Sequence, residues 1–291
     1  MSVYYVVLSF FVYGFLGWCT EVAFAAVKER YFVNRGFLNG PICPIYGLGV
    51  TAVVFFLTRY RENLLLLYIA SVVLVTVLEG LTGWLMEKIF HARWWDYSEM
   101  PLNIGGYVCL LFSLIWGVAC VLIVDFIHPV TMKLLSWIPY YAGCAALVLF
   151  MIGMFADLYV TVASILKMNK RLAAMQEIAQ ELHRISDEIG ENIYENVKDA
   201  MDHHNEIKQK SKELSDGMEQ KRKEITDEFE QRKKKMKAER DQRRQELIDR
   251  YHEISEMIQQ NNQRLLKAFP RIHAKRNQEI LNYIKNRMSK K

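Results

Sequence analysis

The sequence predicts an all-α fold: a polytopic membrane protein of about five transmembrane helices, with a parallel duplication of a two-helix hairpin, followed by a long cytoplasmic, coiled-coil-like helical region. Three observations predict it. Charge is segregated, with eight Lys/Arg and nine Asp/Glu in residues 1–166 against 29 and 23 in residues 167–291. Long apolar runs fill the first part and are missing from the second. A G-x-x-G-W-x-x-E pattern occurs twice, 66 residues apart. A mean hydropathy of +0.01 averages over one part suited to lipid and one suited to water.

Five segments are candidates to cross about 30 Å of hydrocarbon: Val3–Val27, Ile42–Thr58, Leu64–Met86, Tyr107–Ile127 and Ile138–Leu166. The second is the shortest, and Pro44, Gly47 and Gly49 weaken its start, so a tilted or partly re-entrant course is allowed. The N-terminus lacks the basic leader of a cleavable signal, and the first segment is expected to be retained as a span. Lys28, Arg30, Arg35, Lys88, Arg93, Lys167, Lys170 and Arg171 lie on one side, and Arg59, Arg61 and Lys133 on the other. The positive-inside rule then puts the N-terminus outside the plasma membrane and the tail in the cytoplasm. The expected division is a membrane domain at 1–168 (repeat one 1–62, repeat two 63–128, fifth span 138–166) and a charged tail at 169–291.

The duplication is read from Gly14, Gly17, Trp18 and Glu21 against Gly80, Gly83, Trp84 and Glu87. Leu38-Asn39 then matches Leu102-Asn103, and the segment from Cys43 to Gly47, containing Tyr46, resembles that from Cys109 to Ser113. Each copy holds two spans, so both point the same way, as in a parallel repeat. For the glycines and tryptophans, helix packing and interfacial anchoring explain the pattern as well as a functional site does.

The acids are the stronger candidates. Glu21, Glu79, Glu87 and Asp157 fall in the cytoplasmic halves of their spans, where an ionised acid costs up to about 2.5–3.5 kcal/mol at mid-bilayer and less near the interface. Without Lys or Arg inside the spans, they must be protonated, wetted, or paired with loop bases such as Arg30, Arg35 or Arg93. A polar intramembrane ligand site and structural hydrogen bonding both remain open. The loops add the constrained turn Asn39-Gly40-Pro41 and an aromatic, amide-rich stretch with Trp94, Trp95, Asp96, Tyr97 and Asn103. The duplicated geometry is expected to bring Glu21, Asn39, Glu87 and Asn103 around one axis.

Residues 36–47 and the segments Trp95-Asp96-Tyr97-Ser98, Pro101–Gly106 and Cys109-Leu110 together resemble a bacterial membrane family called Putative ABC-transporter type IV, or ABC transporter permease, over roughly residues 5–160. The resemblance implies a membrane subunit of a transport system and does not reach the tail. No G-x-x-x-x-G-K-[ST] phosphate loop occurs, so ATP hydrolysis would fall to a separate chain. Five spans are few for a translocation path, which favours a homodimer.

Between Arg171 and Phe269 there is no proline, and only Gly190 and Gly217 interrupt. Apolar residues from Met175 through Ile178, Leu182, Ile185 and Ile189 to Met201 recur at three- and four-residue steps and resume at Ile207, with a stutter near Ile193. So narrow a seam needs a partner: itself after a fold-back near Asp216-Gly217, a second copy, or another protein. The basic run Arg232–Lys237 has interleaved acids and no aromatic platform, which favours a solvated face over nucleic acid. A final basic amphipathic helix, Ile272 to Met288, could touch the membrane surface or a partner.

No catalytic constellation, metal site or cofactor motif is read. Asp202-His203-His204 has no second cluster to complete a site. The five cysteines, Cys19, Cys43, Cys109, Cys120 and Cys144, read as small apolar residues of a bundle. Besides the lipid bilayer, the expected partners are a second copy through spans and tail, and a separate ATPase or cytoplasmic protein. A permease-like subunit leads; a membrane-anchored coiled-coil scaffold and an intramembrane enzyme acting on a lipid or peptide are the alternatives.

Overall fold

The computed structural model describes residues 2–210, 217–270, 272–274 and 277–289; side chains at 196, 199–226, 228–229 and 289 are outside the description. The chain is mostly helical and divides into two compact units, Met1–Lys170 with Gln260–Lys291, and Arg171–Gln259.

In the first unit, α1 (Val3–Glu29) and α3 (Leu64–Phe90) are 27 residues each, about 40 Å long, more than the hydrocarbon requires. Both stop at a left-handed residue, Arg30 (φ 61°) and His91 (φ 51°), whose N–H closes the last turn on Ala26 and Glu87. Asn63 caps the start of α3 by accepting from the Leu66 N–H. Four helices are long and apolar enough to cross a membrane: α1, α3, the run Leu110–Ser136, and the apolar part of α6 (Tyr140–Lys210). The second candidate segment is helical only as α2, Pro44–Leu57, extended by one tight turn to Tyr60. At 14 residues it measures about 21 Å, short of the hydrocarbon thickness. The run Leu110–Ser136 comprises α4 (Leu110–Leu122), a π-type turn at Ile123–Ile127, and α5 (His128–Ser136). The widened turn ends two residues before Pro129, which has no N–H to offer the ladder.

Helices α1 and α2 form one hairpin, and α3 and α4 another. At their far ends Tyr13, Val53, Val54, Leu57, Leu67, Cys120 and Val124 share one core. There the Tyr13 hydroxyl meets His128 Nδ1 at 2.8 Å, and Arg61 pairs with Asp125 at 3.1 Å. At the other end, the α3–α4 connection folds on itself through the strands β2 (Asn103–Ile104) and β3 (Val108–Cys109). Gly106, at φ +77°, is needed there, since a Cβ would strike Asp96 Oδ1 at 2.6 Å.

The last residues, read from sequence as part of the tail, pack with the membrane unit instead. Strand β1 (Ala92–Arg93) pairs antiparallel with β4 (His273–Ala274). The terminal helix α8, Gln278–Ser289, buries Ile280, Leu281 and Ile284 within the chain. Its apolar stripe is therefore covered intramolecularly.

In the second unit, α6 (from residue 171) and α7 (Gly217–Ala268, up to residue 259) meet around residues 179–186 and 243–251. Arg243 Nη2 lies 2.7 Å from Glu181 Oε1, and Ala179, Leu182 and Ser186 face Arg244, Ile248 and Tyr251 across a shallow cleft. The chain has thus folded back, although Asp216, expected at the turn, lies outside the described residues. Leu172, Met175, Ile178, Ile185 and Ile258 are buried; Ile193, Val197 and Met236 are exposed. The basic run Arg232–Lys237 is exposed along α7. The side chains of Asp202, His203 and His204 are outside the description.

Candidate polar site at the loop-facing ends of the spans

Each acid singled out in the spans has a defined partner. Glu21, two turns from the end of α1, accepts from the Tyr46 hydroxyl at 2.7 Å and lies 3.5 Å from Arg35 Nε. Gly17, one turn earlier, makes this possible: a Cβ there would overlap Tyr46, so only glycine admits the ring beside α1. Gly14 accepts the Cys43 N–H at 2.9 Å, and Cys43 is buried as it starts α2.

The second hairpin uses the same parts. Glu87, 9% exposed, accepts from Arg93 Nε at 2.6 Å and from the Tyr107 hydroxyl at 2.9 Å. Gly83 lets Tyr107 and Trp95 approach to 3.1 and 3.2 Å of where a Cβ would sit. The ion pair with Glu87 holds the Arg93 guanidinium even more firmly charged than usual. Arg93 also lies 3.6 Å from Asp96, whose carboxylate caps its own turn through the Ser98 N–H and hydroxyl. Partial burial works against the ionised Asp96, but those hydrogen bonds and Arg93 outweigh it, so its pKa falls below the usual range.

The equivalence of the two motifs is not complete. Trp18 donates to Asn34 Oδ1 at 2.8 Å, and Asn34 in turn holds the Asn39 carbonyl at 2.8 Å. Trp84 is 47% exposed and carries Lys88 over its ring at 4.9 Å. Asn39 reaches α6: its Nδ2 is 2.7 Å from Asp157 Oδ1 and 3.1 Å from Thr161 Oγ1. The Asn39 and Gly40 N–H groups close on the same carboxylate at 3.1 and 2.7 Å, and Pro41 follows, exposed. Asn103 instead serves its own loop, donating to the Ser98 and Met100 carbonyls and accepting from the Gly106 N–H. Glu87 and Asn103 are thus linked through Arg93 and Ser98, while Glu21 is held by Tyr46 and Asn39 by Asp157.

Glu79 accepts from Tyr97 at 3.3 Å through Oε1, and its buried Oε2 has no hydrogen-bond partner. The Tyr97 ring stacks on Phe112 at 5.1 Å. Burial raises the Tyr97 pKa, and the negative charges of Glu79 and then Glu21 raise it further.

Asn34, Tyr107 and Arg264 are the residues that sequence reading missed. Asn34 lies in an ordinary loop context, and Tyr107 reads only as the first residue of a span; no spacing marks either. Arg264 donates to three successive carbonyls, Gly36 and Leu38 at 3.0 Å and Phe37 at 3.1 Å, from a position more than 220 residues away in sequence. No group of three or more His, Cys, Asp or Glu residues placed to hold a metal occurs among the described residues.

Apolar helices of spanning length, with carboxylates held by loop groups at one end, define a polytopic helical membrane protein. More specifically, the chain belongs to the family described as Putative ABC-transporter type IV, whose model matches residues 8–162. The match covers more than half of the chain and contains Glu21, Asn39, Glu79, Glu87, Asp96, Asn103 and Asp157. Nothing among curated proteins or solved structures matches the chain.

Proposed function

We propose that the chain is a permease-like membrane subunit of a transport system, not itself an enzyme, and that a separate chain hydrolyses ATP. The observation that carries this reading is the repeated acid–base–tyrosine arrangement, Glu21–Arg35–Tyr46 in one hairpin and Glu87–Arg93–Tyr107 in the other. It supports an internal duplication, as do Gly14 against Ile42 and Gly80 against Val108, both at the 66-residue offset. Two hairpins placing acids at equivalent depth would line a polar path at their junction, with Glu79 and Tyr97 beside it. The short α2 counts as a span here, tilted or with the bilayer thinned around it, which gives five spans. Arg59 and Arg61 are the basic residues of the α2–α3 turn, against Lys28, Arg30, Arg35, Lys88 and Arg93 at the other ends of these spans, which supports an external N-terminus with a cytoplasmic tail. A homodimer would supply the spans that one copy lacks.

The test is mild-detergent purification of the tagged full chain, followed by identification of its partners and an ATPase assay. A P-loop ATPase recovered in fixed ratio, with hydrolysis altered in Glu21→Gln and Glu87→Gln, is expected. Recovery of the chain with no ATPase overturns the proposal.

The exposed Ile193, Val197 and Met236 favour a second reading, a membrane-anchored scaffold working through the α6–α7 hairpin. Replacing residues 175–255 by a short Gly/Ser link discriminates. A permease keeps its assembled membrane unit and ATPase, whereas a scaffold loses its partners.

A further inference from the structure

The family match ends at residue 162, yet a segment about 100 residues further on is built into the loop that holds Asp157. Arg264 spends its guanidinium on the carbonyls of Gly36, Phe37 and Leu38. The next two residues, Asn39 and Gly40, supply the three N–H donors of the Asp157 carboxylate. Three consecutive carbonyls converging on one cation fix the backbone of residues 36–38, and with it the direction of the following N–H groups. Further contacts hold the segment in place and close its own turn. Asn262 leaves helical geometry (φ −121°, ψ 16°) and accepts from Ser164, two turns along α6 from Asp157. The Phe269 ring packs edge-on against Trp94 at 4.7 Å, and Ala268 joins Ala25 and Val33 in a small core. Strand β4 pairs with β1, and Lys285 Nζ ties the Pro270 and Ile272 carbonyls at 3.0 and 2.8 Å.

We propose that residues 260–270, 272–274 and 277–284 form an intramolecular strap whose Arg264 is the positioning residue of the Asp157 site. Its docking on residues 36–38 presents Asn39 and Gly40 to the carboxylate, and its release uncovers that carboxylate. The strap is the device by which the cytoplasmic segment sets the state of an acid in the fifth span. Lysine cannot replace the arginine, because a single ammonium does not span three carbonyls in the geometry of a planar fork. The inference is independent of the transport reading, since it concerns how the site is built and not what passes it.

Hydrogen–deuterium exchange on the full chain in lipid nanodiscs tests it, read on peptides covering residues 36–42. In Arg264→Ala the Asn39 and Gly40 amides should exchange at least about tenfold faster, with α3 peptides unchanged; Arg264→Lys should lie between. Asp157→Asn should accelerate the same amides, and its combination with Arg264→Ala should add little to either alone. Exchange at Asn39 and Gly40 within twofold of the parent in Arg264→Lys and Arg264→Ala overturns the proposal. Should the alanine variant fail to fold, the lysine variant decides by the same criterion.

Discussion

Arg93 and Glu87 meet at 2.6 Å, six residues apart in sequence, across the left-handed turn at His91 that ends α3. The helix delivers the acid and the turn delivers the base, so the pair depends on local geometry as much as on charge. Glu87 is the more enclosed partner, its side chain 10% exposed against 29% for Arg93.

That asymmetry predicts unequal costs. Arg93→Ala removes the cation paired with a nearly buried carboxylate and should cost about 2–3 kcal/mol, discounted for the partial exposure of the arginine. The double variant Arg93→Ala/Glu87→Gln should be less destabilised than Arg93→Ala alone. Thermal unfolding in detergent measures this; strictly additive effects would show that the two side chains are not coupled.

Gly17 and Gly153 form a matched pair of opposite expectation. A Cβ at Gly17 overlaps Tyr46, whereas one at Gly153 meets nothing within 4 Å. Gly17→Ala should therefore destabilise by about 1–3 kcal/mol and displace Tyr46 from Glu21. Gly153→Ala should be neutral or stabilising by up to about 1 kcal/mol. Equal melting temperatures for the two variants would contradict the close α1–α2 packing.

Orientation is checked by labelling. Glu62 and Glu99 are both exposed, in the loops at opposite ends of α3. A membrane-impermeant maleimide should modify Glu62→Cys in intact cells and Glu99→Cys only after permeabilisation. The reverse pattern would invert the proposed topology. The native cysteines, all buried or half-buried, provide the background control.

Asp96 gives a pH signature. Its carboxylate is opposed by burial but favoured more strongly by Ser98 and Arg93, so its pKa in the folded protein lies below the ordinary value. A lowered acid pKa contributes stability above the unfolded-state pKa, and this is lost as pH falls through the folded value. The gap in melting temperature between parent and Asp96→Asn should thus be widest near neutrality and close in acid. A gap of constant size between pH 7 and pH 3 would show that the charge plays no part.

Apolar run length and charge segregation were enough to determine the helices, because a spanning helix satisfies its own backbone and declares itself by composition alone. The acids in the spans stood out for the same reason: in lipid a carboxylate is conspicuous wherever it occurs. The seam from Met175 to Ile185 was legible as one that needs a partner, with a fold-back, a second copy and another protein left open; the contacts with α7 came from the tertiary structure. Tertiary structure alone decided which group answers which acid. Periodicity marks one face of one element, whereas Asn39 reaches Asp157 across 118 residues and Arg264 reaches Phe37 across 227. It also decided that Arg264, Ala268, Phe269 and strand β4 pack on the membrane unit's loops and that α8 is buried within the chain: the apolar stripe of a short amphipathic helix states that it must be buried, and only the folded chain supplies the surface that buries it.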